Sequence, residues 1–188
     1  MATDPSTVAI AQAAQQIALQ MLEERGRGAV LVGVARVDAA LEHLLQAVMM
    51  PAASKGDGLF LPERPLGSLG AKVALAYRLG LIDEATERAL NVLRKLRNAF
   101  AHSAESASLT EPAHRSRLAE IYAKASTNSL WAPLEAVLAT QPPTAHGPLE
   151  PALRDYILLI TILVAFLEAT SRQLAPFQPA AVMRLGGV

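Results

Sequence analysis

The residues best suited to chemistry in this chain lie in one short segment, residues 93–103, which combines an arginine, an asparagine and a histidine. Asn98 follows Arg97 directly, and four residues separate Arg97 from His102. A guanidinium supplies positive charge for a phosphate, and an imidazole can exchange a proton near neutral pH. This set is sufficient in principle for cleaving RNA. The same side chains also suit a polar contact between two helices, so both interpretations stay open.

A long amphipathic helix must position these side chains. Asp83 is a suitable N-cap for it, with acidic residues near its positive end and basic residues near its negative end. Arg97 projects at the margin of the apolar face, so we expect its guanidinium to lie near the core. The apolar face comprises Ala89, Leu93, Leu96 and Phe100, and a separate polar stripe comprises Asn91, Lys95, Asn98 and His102.

A second helix, predicted over about residues 29–49, carries a carboxylate at the edge of its apolar face. This residue is Asp38, and it needs a cation where the helix packs. Because Arg97 is similarly placed on its own helix, we expect Asp38 and Arg97 to form an ion pair between the two helices. Removing one partner of a half-buried pair typically costs several kcal/mol, because the other charge is left unpaired.

Composition narrows the functional classes. The chain has 188 residues, of which 52% are hydrophobic and 18% charged, as is typical of one folded domain. Its net charge is +0, so no overall field attracts nucleic acid, and direct DNA binding is doubtful. The absence of cysteine excludes thiolate metal sites, and no histidines have ligand spacing; we therefore expect neither a metal nor a cofactor.

The apolar run from Ile157 to Leu167 is shorter than the roughly 20 residues that span a bilayer. It predicts a buried core helix. The N-terminus has no basic and apolar regions typical of a secretory signal. We therefore expect a cytoplasmic protein without a membrane span.

Helical periodicity, caps and breakers predict an all-α fold: a single-domain helical bundle of about six to seven helices. Residues 1–25 are predicted to form an N-terminal helix, and residues 26–175 the main helical domain. A proline-rich internal linker is predicted over residues 141–151, and a flexible tail over residues 176–188.

Three blocks of sequence carry a family resemblance. The first runs from Arg27-Gly-Ala-Val-Leu-Val into Val37-Asp-Ala-Ala-Leu-Glu-His-Leu-Leu45, the second covers residues 65–82, and the third is residues 93–103. In this order they resemble the mannitol operon repressor (MltR-like) family of bacterial proteins, over about residues 22–125. The resemblance implies an all-helical cytoplasmic protein in transcriptional control, without a recognisable DNA-reading motif. Contact with another protein is then at least as plausible as operator binding.

The pattern Arg97-Asn98-x-x-x-His102 also resembles the motif of the HEPN superfamily, compact helical domains that include metal-independent ribonucleases. In those enzymes the motifs of two subunits usually meet in a dimer cleft. The resemblance implies that His102 exchanges a proton during attack by the 2′-hydroxyl and that Arg97 stabilises the phosphorane. Asn98 would orient the pair or donate a hydrogen bond to the phosphate.

Three functions therefore remain open. The first is a regulatory protein of the mannitol-repressor type that acts through protein–protein contacts and is not an enzyme. The second is a HEPN-like ribonuclease of toxin or defence type, with RNA as its partner. The third is a non-catalytic helical interaction domain. The asparagine-containing stripe and the high apolar fraction also predict a homodimer.

Overall fold

A computed structural model describes residues 5–24, 26–52, 58–102, 107–140, 148–179 and 182–183, with side chains described from residue 12 onward. Over these ranges the chain forms seven α-helices and no strand, which confirms the predicted all-α bundle. The helices are α1 (Pro5–Glu23), α2 (Arg27–Val48), α3 (Leu69–Arg78), α4 (Glu84–His102), α5 (Pro112–Ala125), α6 (Trp131–Ala139) and α7 (Pro151–Ser171).

The helices predicted over residues 1–25 and about 29–49 correspond to α1 and α2 to within a few residues. The segment between α2 and α3 contains a 3₁₀ turn, Gly58–Phe60, whose Phe60 side chain is buried. Most of the predicted linker, residues 141–147, lies outside the described residues, and α7 already begins at Pro151. In the predicted tail, residues 180–181 and 184–188 likewise lie outside them.

Helix α7 forms the centre of the bundle. Every residue from Tyr156 to Ile162 is buried, so this part of the helix is apolar on all sides and packs mainly against α1 and α2. Phe166, near the end of the predicted apolar run, is instead exposed. Among the helices that the structure describes, none combines the length and apolarity needed to cross a membrane.

Helices α1, α2 and α7 approach each other closely at Gly33. A Cβ atom built on this glycine would lie 2.9 Å from Met21 Cε and 3.0 Å from the Tyr156 hydroxyl oxygen. That hydroxyl is buried and donates a hydrogen bond of 3.1 Å to the Val30 carbonyl oxygen. The missing side chain of Gly33 therefore makes room for the tyrosine that ties α7 to α2.

Helices α2 and α4 pack antiparallel. At one end, Arg27 at the start of α2 contacts Ala101 at the end of α4. At the other end, Leu44 of α2 and Ala89 of α4 line the same groove. This arrangement places the segment singled out by the sequence, at the C-terminal end of α4, beside the first turn of α2.

Candidate functional site

Helix α4 is fixed by its N-cap and by its apolar face. Asp83 Oδ1 accepts a hydrogen bond of 2.8 Å from the Thr86 backbone N–H, and this bonding lowers the pKa of the Asp83 carboxyl below its ordinary value. Leu90, Leu93 and Leu96 are fully buried, as is Phe100 one turn further on. The Asp83 cap and the buried apolar face together fix the rotation of α4, and therefore determine which residues of its last turns face outward.

The three motif residues lie on the outer side of α4 at its C-terminal end. Arg97, Asn98 and His102 are all exposed. Arg97 Nη1 donates a hydrogen bond of 3.3 Å to Asn98 Oδ1, and at this length the bond is weak. Within the described part of the chain, no carboxylate forms an ion pair with Arg97. The guanidinium and the imidazole therefore face solvent and are not enclosed between helices.

A fourth residue, Arg27, joins this surface from α2. Its Nη2 donates a hydrogen bond of 2.8 Å to the Ala101 carbonyl oxygen, one of the last carbonyls of α4. The guanidinium stabilises the end of the helix and adds positive charge next to His102. The sequence gives no sign of this role for Arg27, because only the packing of α2 against α4 brings it to the motif.

The expected ion pair between Asp38 and Arg97 is not formed, so this prediction is wrong. Asp38 pairs instead with Lys72 of α3, whose Nζ lies 3.0 Å from Asp38 Oδ1 and 2.7 Å from Glu42 Oε2. The contact with Asp38 is an ion pair without hydrogen-bond geometry. The expectation that the Arg97 guanidinium lies near the core is also wrong, since this residue is exposed.

The antiparallel register explains why Asp38 and Arg97 do not meet. Asp38 follows Arg27 by eleven residues, about 16 Å along α2, whereas Arg97 precedes Ala101 by four residues, about 6 Å along α4. Since Arg27 and Ala101 lie side by side, Asp38 and Arg97 are offset by about 10 Å along the helix axes. A helical projection gives the face of each residue but not this offset.

Lys72 is the buried cation that the sequence analysis missed. Its side chain is only 4% exposed, and its Nζ lies 5.9 Å from the centre of the Phe60 ring. Burial alone would lower the pKa of the ammonium group, but the hydrogen bond to Glu42 and the negative charges of Glu42 and Asp38 outweigh that effect and raise it. This cluster joins α2 to α3 and is a structural feature.

An open groove of about 1100 Å³ lies on another side of the molecule, between α4, α5 and α7. None of Arg97, Asn98 and His102 lines it. At its rim, Arg88 of α4 bonds Glu84 at 2.7 Å and Glu120 of α5 at 3.3 Å. Apolar side chains that line the groove include Ala89, Val92, Ile121, Leu159, Leu163 and Phe166.

No group of three or more histidine or acidic side chains within the described residues is placed to hold a metal ion. Comparisons of the chain with protein-family models, with curated proteins and with solved structures find no match. The two resemblances of the sequence therefore stay predictions.

Proposed function

We propose that this protein is a regulatory protein of the mannitol-repressor type, which acts in transcriptional control by binding another protein. The observation that supports this proposal is the groove between α4, α5 and α7, where apolar side chains of three helices face solvent. Phe166 is the clearest example, because 46% of its surface is exposed. Contiguous exposed apolar surface with a polar rim is typical of protein interaction sites.

The dimensions of the groove fit one α-helix. Its lining on α7 extends from Leu159 to Thr170, a length of about 16 Å, or about three helical turns. The lining therefore offers contacts along about three turns of a bound helix. The occupant is therefore an amphipathic helix of the partner, which lays its apolar face on the groove floor.

The charged residues at the rim of the groove determine which charges are favourable on the polar face of the partner helix. Arg88 is already bound by Glu84 and Glu120. Lys124 of α5 also lines the groove, and its charge helps to lower the pKa of Asp83, which lines the groove as well. Arg117 of α5 is the lining cation that forms no ion pair with a described residue. It favours a partner helix with an acidic residue beside its apolar stripe.

The test is a transcript profile in the organism that encodes the protein, after deletion of its gene. Complementation uses wild type, Phe166→Glu and Tyr77→Glu. Tyr77 is the matched control, because it is 42% exposed and lies outside the groove. We expect deletion to change the transcripts of a defined operon and wild type and Tyr77→Glu to restore them. Phe166→Glu should fail, because its carboxylate repels an acidic partner and disrupts the apolar floor.

Two results contradict this proposal. One is a deletion strain with unchanged transcripts. The other is full restoration by Phe166→Glu at the same protein level as wild type. Circular dichroism of the purified variants must show native helix content, so that failure to complement reports loss of binding and not loss of folding.

The exposure of the motif favours a second candidate, a HEPN-like metal-independent ribonuclease. Arg97, Asn98 and His102 are solvent-accessible, and no described carboxylate neutralises Arg97. In this mechanism His102 would take the proton of the 2′-hydroxyl as it attacks phosphorus, and Arg97 would stabilise the charge on the phosphorane. The P–O5′ bond would then break, leaving a 2′,3′-cyclic phosphate, and the departing 5′-oxygen would take a proton from water or from a protonated His102 of the second subunit. Because the motif lies on an open surface, a second subunit would have to complete the cleft.

This candidate is tested by incubating the purified protein with single-stranded RNA in excess EDTA. The ribonuclease mechanism predicts cleavage by wild type, loss of cleavage in His102→Ala and Arg97→Gln, and unchanged cleavage in Arg78→Gln. Arg78 is the matched control because it is an exposed arginine at the end of α3, close in sequence to the start of α4, whereas the motif lies at the other end of α4. Absence of cleavage by wild type, or equal rates in wild type and His102→Ala, excludes this mechanism.

A further inference from the structure

A small pocket separate from both surfaces lies between α1, α2 and α7. Its volume is about 240 Å³. At about 30 Å³ per water molecule, this volume corresponds to roughly eight waters, so the pocket can hold only a small ligand. Its charged and titratable lining residues are Arg36, His43, Glu168 and Arg172. Three of these four groups are basic.

Two hydrogen bonds hold the basic groups in place. Arg36 Nη2 donates to the Gln20 side-chain oxygen across 2.6 Å, and this neutral partner orients the guanidinium without cancelling its charge. His43 Nδ1 lies 2.8 Å from Glu168 Oε1, although 125 residues separate the two in sequence. A carboxylate bonded to one ring nitrogen fixes the orientation of an imidazole and leaves Nε2 for a ligand.

The remaining cation, Arg172, has no carboxylate partner among the residues that the structure describes. Arg172, at the C-terminal cap of α7, is exposed and forms no ion pair with any residue that the structure describes. Glu168 is the carboxylate lining the pocket, and His43 engages it. The pocket therefore presents two guanidinium groups and an imidazole around a small volume, which is a favourable environment for an anion.

We propose that this pocket binds a small organic phosphate. Arg36 and Arg172 provide paired donors for the phosphate oxygens, and His43 as an imidazolium, with Nδ1–H donated to Glu168, provides one more from Nε2. The carbon skeleton would lie on an apolar floor formed by Ile17, Ala40 and Val164. This proposal does not depend on the proposed function, because the pocket shares no lining residue with the groove and contains no motif residue.

The proposal is tested by calorimetric titration of the full chain with glycerol 3-phosphate, with inorganic phosphate, and with glycerol as the uncharged control, at constant ionic strength. We expect saturable binding of glycerol 3-phosphate at one site per chain, at least as tight as that of inorganic phosphate, and none of glycerol. Arg172→Gln and Arg36→Gln should each weaken binding at least tenfold. Arg115→Gln removes an equal charge from α5 and should leave the affinity unchanged.

NMR of the histidine side chains locates the ligand. Addition of glycerol 3-phosphate should shift the ring resonances of His43 and leave those of His102 in place. The proposal is overturned if wild type shows no saturable binding, or if Arg115→Gln weakens binding as much as Arg172→Gln. It is equally overturned if the ligand shifts His102 and not His43, or if inorganic phosphate binds and glycerol 3-phosphate does not.

Discussion

At the scale of single residues, Lys72 shows how a buried charge is accommodated in this bundle. Its ammonium group is nearly inaccessible, yet it stays charged because Asp38 and Glu42 face it from successive turns of α2. The two carboxylates remain partly hydrated, with 34% and 30% of their side chains exposed. The cluster is therefore half-buried, which limits both its desolvation cost and its contribution to stability.

Replacing Lys72 with methionine should lower the free energy of unfolding by about 1–3 kcal/mol at neutral pH, less than the 3–5 kcal/mol typical of a fully buried pair. The remaining carboxylates of Asp38 and Glu42 would then repel each other. Denaturant unfolding of wild type and Lys72→Met measures the effect. Lys95→Met, on the exposed side of α4, serves as control. Equal stability of wild type and Lys72→Met would show that the cluster contributes nothing.

The difference in the free energy of unfolding between wild type and Lys72→Met should depend on pH. Because the pKa of Lys72 is raised above 10.5 in the folded state, its contribution is complete below that pH and is lost as the pH rises through the raised value. The advantage of wild type over Lys72→Met should therefore shrink above about pH 10.5. Taking the difference removes the contributions of Tyr122 and Tyr156, whose pKa values burial also raises.

Gly33 offers a second residue-scale prediction. Gly33→Ala should destabilise the protein by about 1–3 kcal/mol, because the new methyl group meets the fixed ring of Tyr156. This penalty outweighs the better helix propensity of alanine, which is worth about 1 kcal/mol. Gly28→Ala on the same helix is the control, since its Cβ meets only the flexible end of Glu24. The interpretation fails if thermal unfolding shows both variants to be equally stable.

At the scale of elements, the helices were predictable because their signals are local. Asp83 caps α4, Gly80 ends the segment after α3 with a positive φ of 70°, and prolines open α5 and α7. The contacts between helices were not predictable in the same way. Asp38 and Arg97 each lie on the expected helix, but the offset between the two helices depends on packing that no local pattern encodes.

The N-cap of α4 should contribute measurably to the stability of the protein. Asp83→Ala should cost about 1 kcal/mol at neutral pH, because the Thr86 N–H loses its acceptor. Hydrogen bonding lowers the pKa of Asp83 below 3.8, so its contribution is present above that value and is lost as the pH falls through the lowered pKa. The difference between wild type and Asp83→Ala should therefore shrink in acid, to what a neutral acceptor contributes.

Ser68 provides the matched control for this pH dependence. Its hydroxyl oxygen accepts a hydrogen bond of 3.2 Å from the Ala71 N–H at the start of α3, and it does not titrate. The cost of Ser68→Ala should persist in acid wherever the protein stays folded. If the effect of Asp83→Ala is as large at low pH as at neutral pH, charge plays no part in this cap.

At the scale of the whole molecule, the all-α fold and its apolar central helix followed from composition and periodicity. The pairing of His43 with Glu168 did not, because it joins residues 125 positions apart. The groove was equally inaccessible to sequence reasoning, since the residues that line it, such as Ala89 and Leu163, read as ordinary apolar positions. Which apolar residues stay uncovered depends on how all the helices pack together.

The prediction for the whole molecule concerns its oligomeric state. We expect a homodimer with twice the 19.9 kDa mass of one chain. The exposed residues Lys95, Asn98 and His102 would give such an interface polar, directional contacts. Light scattering of the purified protein at micromolar concentration measures the mass directly. A mass of one chain throughout that range would contradict the prediction and would also leave the ribonuclease mechanism without its second subunit.

We propose that the groove, and not the motif at the end of α4, carries the regulatory function. The most direct measurement compares Phe166→Glu with His102→Ala in the same deletion strain, by the transcript level of the affected operon. We expect that His102→Ala restores wild-type transcription and that Phe166→Glu does not, with both proteins folded and equally abundant. Restoration by Phe166→Glu together with failure of His102→Ala would contradict it and would assign the function to the motif.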